Sequence, residues 1–565
     1  MLAASAAAAQ TSVADAVMNR DVAGLRALLQ KKAEVNAPQI DGSTALHWAV
    51  YHDNLQAADL LIASGANPKA VTREGVTPLA MATQFGSVAM VERLLKAGAD
   101  PKELGPNGET MLMFAARNGN PRLVELFVEA GVDINAAEKL RQTTALMWAA
   151  AQHHPGAVKA LLEAGANPGA KSGGAGLPRN YMANRVNQKS VLEAQERRKR
   201  AAAAGRTYDE QLAIEKAAPL RPAFDQVQQP PPQDDDSEVV VAGLVGSGGG
   251  GLAALHLAAR EGDIESAKAL LDGKADVNQL TEYGWTPLLT AINNRNYALA
   301  SMLLDRGADP NIANKGAWTP LYIATDNRNI EGGDYPVPRP DLDHLEIITK
   351  LLDKGANPNA RVKDDTLTRT IFTMQWFFEN GATAFARAAQ SSDTALMKLL
   401  LKYGADPRLA TANGDTAMTL AGGIGWVEGV TYERSREENV EALRMLLDLG
   451  LDPNTANAEG RTALMGAALK GRNEAILLLV ERGAKLDLHD HGSRDTDKIG
   501  SAAAGHTWQA IDYADGLVRA GVQGAIAYPE TSALIRKLMV ERGLAVPPVN
   551  RNILSVCVVS LCQGW

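Results

Sequence analysis

The sequence predicts an all-α solenoid of about twelve helix-turn-helix repeats with inserted loops. The first observation is a period, because Thr44, Thr77 and Thr110 begin similar stretches that lie 33 residues apart. The second is a shared ending, in which a Leu-rich stretch runs into Gly-Ala-Asp/Asn-Pro, as at Gly65. The third is composition: 46% of residues are hydrophobic but only 5% are aromatic, which suits thin helices packed closely together. A fixed period of this length is typical of stacked repeats rather than of a globular enzyme domain.

Each unit is predicted to contain a turn, a short helix, a tight loop and a longer helix. The Thr of the unit is placed to cap the short helix, and Pro often follows it in the first helical turn. Gly65 and its equivalents can adopt the left-handed conformation that ends the longer helix. Ten units begin at Thr44, Thr77, Thr110, Thr144, Ala253, Thr286, Thr319, Thr383, Thr416 and Thr462, and degenerate units at the two ends bring the number to about twelve.

These units resemble the ankyrin repeat. The resemblance rests on the 33-residue period, on the stretches "TALHWAV", "TPLAMAT" and "ALHLAAREGD", and on the many "GADPN"-like endings. It implies a stack in which turn fingers and short inner helices form a concave face. It also implies that His47 and His256 are structural and bond to the turn backbone of a neighbouring repeat. The Ala-rich start and the interrupted array resemble, more narrowly, exported multi-ankyrin-repeat proteins of environmental bacteria.

Insertions divide the array. Residues 10-172 are expected to hold about five repeats and residues 252-543 about seven, whereas residues 173-251 are rich in Pro, Gln, Asp and Gly and are predicted to be disordered. The ends "GANPGAKS" and "GGLAALHLAA" would join into one normal turn, so we expect this insertion to hang from a turn of one continuous solenoid. Two stacks on a flexible linker are the alternative. Shorter insertions are expected between helices or before the next repeat, never inside a helix.

The two ends of the sequence indicate the cellular compartment in which the protein is expected. Residues 1-9 end in small residues of the A-x-A type, which predicts a signal-peptide remnant; an Ala-rich terminus or a helix start is the alternative. Cys557 and Cys562 lie in the tail 544-565, where a disulfide would form in an oxidising compartment, and two free thiols are the alternative. We therefore expect a periplasmic or secreted protein, with the cytoplasm as the alternative.

The sequence offers little support for catalysis. It contains no P-loop, HExxH or GxSxG motif. His489, Asp490 and His491 could hold a metal weakly, but their spacing matches no familiar site, so we interpret them as loop polarity. The basic run at residues 197–200 has acidic neighbours and is interpreted as a solvated helical face. We expect no catalytic residue, no cofactor and no metal.

Charge and hydropathy narrow the class of partner. The net charge of −8 speaks against a broad nucleic-acid surface. No apolar run approaches the roughly 20 residues that are needed to cross a bilayer. We expect a monomer that binds a protein.

Side chains on the fingers and at the exposed ends of the inner helices are the candidates for partner binding. Aromatic residues on a polar ridge are typical of recognition hot spots. The candidates are Tyr51, His52, Phe85, Tyr283, Trp285, Asn293, Asn294, Trp318 and Trp376. Trp376 lies in the insertion before Thr383 and could instead pack against that inserted loop.

The predicted function is a non-catalytic protein–protein interaction scaffold that binds its partner through the concave finger and inner-helix face. One alternative is an enzyme, or a subunit associated with one, whose site is built from the inserted loops of the C-terminal half. The other alternative is a cytoplasmic regulatory partner that masks another protein.

Overall fold

The computed structural model describes residues 12–174, 204, 250–330, 339–363, 380–426, 431–491, 507–519, 526–549 and 556–557. Within these ranges the chain forms twelve helix pairs, which confirms the predicted all-α solenoid of about twelve repeats. The predicted signal-peptide remnant, the 173-251 insertion apart from its ends and residue 204, Trp376 and Cys562 lie outside the described residues.

Each repeat has a short inner helix followed by an outer helix, and the repeats are numbered in chain order. The inner helices are α1 (Val13–Met18), α3 (Ala45–Tyr51), α5 (Pro78–Phe85), α7 (Met111–Asn118), α9 (Ala145–Ala151), α11 (Ala254–Glu261), α13 (Pro287–Asn293), α15 (Pro320–Arg328), α17 (Ala384–Gln390), α19 (Ala417–Gly422), α21 (Ala463–Leu469) and α23 (Ala510–Ala514). The outer helices are α2 (Val22–Gln30), α4 (Leu55–Ala63), α6 (Val88–Lys96), α8 (Pro121–Glu129), α10 (Pro155–Glu163), α12 (Ile264–Asp272), α14 (Tyr297–Asp305), α16 (His344–Asp353), α18 (Thr394–Lys402), α20 (Arg436–Asp448), α22 (Asn473–Glu481) and α24 (Pro529–Glu541). Two short strands, β1 (Val518–Arg519) and β2 (Val556–Cys557), pair in parallel near the C-terminal end.

Local chemistry fixes the helix ends. The hydroxyl of Thr286 accepts a hydrogen bond from the Leu289 N–H (3.1 Å), and Thr77 caps α5 in the same way. Gly65 follows α4 with φ +86°, a conformation that L side chains rarely adopt, although a Cβ there would meet nothing within 4 Å. Conformation rather than space therefore selects glycine at this position.

The core is a row of Leu and Ala side chains buried between successive repeats. Leu46, Leu61, Leu79 and Leu94 are fully buried where the second and third repeats meet. Each buried Leu stabilises the stack by roughly 1.5–3 kcal/mol relative to an exposed one. Because each repeat packs on its neighbours, this stabilisation is shared between adjacent units.

His47 and His256 have the structural role that the resemblance implied. The Nδ1 of His256 accepts the N–H of Ala253 (3.2 Å), so its Nε2 carries the proton and donates to the carbonyl of Trp285 (3.0 Å). His47 makes the equivalent contacts with Thr44 and Val76. Burial lowers the pKa of His256 to about 4, so the ring is neutral at pH 7.

The turn before each inner helix forms a finger, and neighbouring fingers are joined by backbone hydrogen bonds. The N–H of Arg73 donates to the carbonyl of Asp41 (2.9 Å), and Lys315 donates likewise to Tyr283 (3.1 Å). Pro106 occupies the donor position in the fourth finger and has no N–H. The row of these backbone hydrogen bonds forms a ladder along the fingers. One rung of this ladder is therefore missing between the third and fourth repeats.

The repeats on the two sides of residues 175–249 stack directly on each other, as expected for one continuous solenoid. Helix α9 packs against α11, and α10 packs against α12. The N–H of Ser172 donates to the carbonyl of Leu252 (2.8 Å), and this hydrogen bond closes the sixth finger. Gly173 donates to Arg141 of the previous finger (2.7 Å), so the ladder continues beneath the insertion.

Two shorter insertions also begin and end at fingertips. The N–H of Val362 donates to the carbonyl of Ala382 (3.0 Å), which joins the chain on the two sides of residues 364–379. The N–H of Asp490 donates to the carbonyl of Trp508 (2.9 Å), which does the same for residues 492–506. Residues 331–338 and 427–430 instead lie between the two helices of a repeat. None of these insertions interrupts a described helix, as expected.

Candidate partner-binding surface

A stripe of large apolar side chains runs along the inner helices of repeats two to five. It consists of Trp48, Met81, Phe114 and Trp148, each four residues after the capping Thr of its helix. All four are half-buried, whereas most other residues of these helices are buried. We refer to these four residues as the apolar stripe.

The indole groups of the stripe are tied to the fingers above them. Trp48 Nε1 donates to Gln39 Oε1 (2.6 Å), and Trp148 Nε1 donates to Thr143 Oγ1 (2.8 Å). These bonds satisfy the polar edge of each ring and leave apolar ring surface towards the solvent. The stripe therefore lies on the inner helices beside the fingers, on the side of the stack that the family resemblance implies to be concave.

Two further aromatic residues extend the stripe at its N-terminal end. Tyr51 is 57% exposed and Phe85 is 55% exposed, and their ring centroids are 6.0 Å apart. The Tyr51 ring also lies edge-on to Trp48 at 5.6 Å. Exposed aromatic side chains in mutual contact are the kind of surface on which hot spots form.

In the later repeats, the residues at the equivalent positions are buried. Leu257, Thr290, Ile323, Arg387 and Leu420 also lie four residues after the capping position, and all are buried. At the position four residues after the cap, large accessible side chains are therefore found in repeats two to five of the described chain.

Three of the predicted partner-binding residues lie together at this surface. Tyr51 and Phe85 are the exposed pair described above. His52 is stacked against Trp48 at 6.1 Å, and its Nε2 bonds to the carbonyl of Met18 (3.0 Å). His52 therefore connects the first two repeats as well as bordering the stripe.

The expectation that Trp285 and Trp318 are exposed on the fingers is wrong. Trp285 is 4% exposed and Trp318 is 0% exposed. Each precedes the capping Thr, at the base of the finger, where the side chain turns into the stack. Trp318 packs edge-on against Tyr322 at 4.7 Å. Both side chains thus belong to the core.

The other predicted residues lie in or beyond the seventh repeat, away from the exposed aromatic pair. Tyr283 is half-buried with Lys315 over its ring at 5.7 Å. Asn293 and Asn294 are half-buried at the end of α13, where Asn294 donates to the carbonyl of Thr290 (2.8 Å). Trp376 stays a prediction because it is outside the described residues.

Sequence reasoning missed all four residues of the apolar stripe, Trp48, Met81, Phe114 and Trp148. The signal was present, because counting four residues from each Thr gives a large apolar residue in four consecutive repeats. The sequence-based candidates were placed on the fingers and at the exposed ends of the inner helices, and did not include this position.

The histidine-containing loop before the last repeat is held by hydrogen bonds. His489 lies 2.9 Å from Thr507 Oγ1, and His491 Nδ1 lies 3.0 Å from the carbonyl of Ala458. Asp490 is buried and accepts from the Tyr513 hydroxyl (2.6 Å). Across the described ranges, no group of three or more His, Cys, Asp or Glu residues is arranged to hold a metal ion.

No helix in the described part of the chain is both long and apolar enough to span a membrane. Cys557 lies in β2, opposite Arg519, and the predicted disulfide with Cys562 stays a prediction.

Comparison with known proteins agrees with the repeat architecture. Residues 13–105, 90–172 and 255–362 match the family model described as "Ankyrin repeats (3 copies)", and residues 433–480 match "Ankyrin repeats (many copies)". These matches together cover more than half of the chain. A 43-residue stretch is 51% identical to the Ankyrin repeat and LEM domain-containing protein 1 homolog of Caenorhabditis elegans, but it covers only 8% of this chain and 6% of that protein.

Proposed function

Because the chain belongs to the ankyrin repeat family, whose repeats are general protein-interaction modules, we propose that it is a non-catalytic scaffold for a protein partner. The partner binds the concave face between the fingers and the inner helices. Repeats two to five provide the binding surface, and the later repeats extend and stabilise the stack.

The observation that supports this proposal most strongly is the exposed aromatic surface at the start of the stripe. Tyr51 and Phe85 each leave more than half of their side chain in water while their rings touch. Isolated exposed apolar residues are ordinary, but a contiguous apolar patch on a soluble protein marks an interaction site. A binding surface gives these two side chains a role that folding alone does not require.

The test compares three purified proteins as bait in extracts of the source cells. They are the wild type, the double variant Tyr51→Asp/Phe85→Asp, and the control Leu477→Asp. Leu477 is matched in character, being apolar and 48% exposed, but it lies on the outer helix α22. We expect a protein that wild type and the control retain and that the double variant loses.

Circular dichroism and thermal unfolding of all three baits would verify that each is folded. Purified partner would then be titrated against each bait, so that direct binding is measured. If the double variant binds the partner as tightly as wild type does, the proposed face is wrong.

Export from the cytoplasm is a separate proposal that rests on the sequence of residues 1-9. Mass spectrometry of the protein from its source cells would test it, because processing after about residue 9 should remove the Ala-rich start. An unprocessed N-terminus together with reduced Cys557 and Cys562 would favour the cytoplasm.

A further inference from the structure

We propose that the segment bound by the apolar stripe is an amphipathic α-helix of the partner protein. It lies along the stack, so that one apolar side chain from each heptad meets one repeat. This inference rests on the proposed function and narrows it to one class of ligand.

The first argument is spacing. The stripe has one large apolar side chain on each of α3, α5, α7 and α9. Packed neighbouring helices lie about 8–10 Å apart. A helix rises about 10.5 Å over seven residues, so a heptad-spaced apolar row nearly matches the repeat spacing. About three heptads would span the distance from Trp48 to Trp148.

The second argument is the polarity of the groove floor. The indole N–H groups of Trp48 and Trp148 are already bonded to Gln39 and Thr143, and Met81 and Phe114 have no N–H or O–H group in their side chains. An extended peptide laid on this floor would bury backbone N–H and C=O groups without partners. A helix satisfies its own backbone and presents only side chains, so the floor favours a helix.

The third argument is charge. The rim of the stripe opposite the fingers carries two arginines and one carboxylate. The arginines are Arg117 on α7 and Arg20, which donates to His52 Nδ1 (3.3 Å). The carboxylate is Asp53, at the place in the second repeat that Arg20 holds in the first, and it already accepts a hydrogen bond from the Ser87 hydroxyl (2.6 Å). Both arginines are exposed, and neither forms an ion pair with another residue in the described ranges. The edge of the ligand helix that faces this rim should therefore carry Asp or Glu.

The test selects ligands without assuming a sequence. A display library of random 24-residue peptides would be panned on the full chain and counter-selected on Tyr51→Asp/Phe85→Asp. We expect enriched peptides in which large apolar residues recur every seven positions, with acidic residues along one side of the helix. Their synthetic forms should gain helical circular dichroism on binding.

Charge reversal tests the orientation of the bound helix. Arg117→Glu should weaken binding of the acidic peptides by about three- to tenfold, as expected for rim charge pairs. Arg444→Glu is the matched control, because Arg444 is an exposed arginine on the outer helix α20. The control should leave the affinity unchanged. Equal effects of the two variants would overturn the predicted orientation.

The outcomes separate this inference from the proposed function. Enriched peptides that alternate apolar and polar residues, or that stay non-helical when bound, would overturn the helix inference while the concave site stands. Enriched peptides whose sequences resemble a stretch of residues 175–249 would identify the chain's own insertion as the ligand and would also overturn the helix inference. Peptides that bind the double variant equally well, or no enrichment at all, would count against both proposals.

Discussion

The guanidinium of Arg387 donates through Nε to the carboxylate of Asp326 across 2.9 Å, and both side chains are buried. Asp326 belongs to the eighth repeat and Arg387 to the ninth, which residues 364–379 separate in the sequence. Arg387 also donates to the carbonyl of Asn329 (2.8 Å). Arg387 holds the position that Trp148 holds in the fifth repeat, so the same place carries a buried ion pair here and apolar groove surface there.

Replacing Arg387 with Ala should destabilise the protein strongly, because the change leaves the Asp326 carboxylate buried without its partner. A loss of about 3–5 kcal/mol is expected for breaking a buried pair in this way. Urea unfolding measures it, with Arg444→Ala as the exposed control. A loss no larger than that of the control would show that the pair contributes little.

The burial of Trp318 and the exposure of Tyr51 predict losses of stability of different size for these two aromatic residues. Trp318→Ala should cost about 3–5 kcal/mol, since it opens a cavity in the core. Tyr51→Ala should cost less than about 1 kcal/mol, because most of that side chain is in water. Thermal and urea unfolding of the two variants distinguish a core residue from a surface residue. Similar losses for both would contradict the assigned burial.

Stability should depend on pH through His256. Its pKa is about 4 in the folded protein and near 6.5 when unfolded, so the unfolded chain binds the extra proton between those values. Stability is therefore retained above pH 6.5 and falls as the pH drops towards 4, by about 3 kcal/mol in total for this group. The advantage of wild type over His256→Gln, measured by urea unfolding from pH 7 to pH 4, should shrink with acidification. A constant advantage would refute this assignment.

Replacing residues 175–249 with a four-residue Gly-Ser connection should leave the stack folded. The bonds from Ser172 and Gly173 already close the sixth finger beneath the insertion. Closing a shorter loop costs less entropy, so the unfolding free energy should rise by up to about 2 kcal/mol. Thermal unfolding measures the change. A lower melting temperature would mean that the removed segment stabilises the repeats.

The repeat architecture could be predicted because its signals are local. Thr77 and Thr286 cap helices, and Gly65 ends one, through contacts within a few residues of sequence. The fingertip position of the insertion after Gly174 also followed from joining two ends into one turn.

Burial could not be predicted in the same way, because it depends on what the next finger or loop covers. Nothing in the sequence next to Trp285 or Trp318 indicates whether the side chain is buried at the base of a finger or exposed at its edge. Trp148 and Arg387 occupy equivalent positions, yet one faces a groove and the other is enclosed. Only the packing of neighbouring repeats determines this difference.

The missing rung at Pro106 bears on the mechanics of the stack. Stiffness along the row of fingers comes from its backbone bonds, and the joint between the third and fourth repeats has one bond fewer. Across the same joint, the outer-helix pair of Arg122 and Glu92 is separated by 3.9 Å, a weak tether. The apolar stripe crosses this joint, with Met81 on one side and Phe114 on the other. Bending concentrated at this joint would change the distance between Met81 and Phe114. The binding surface could then adjust its curvature to the shape of the bound partner.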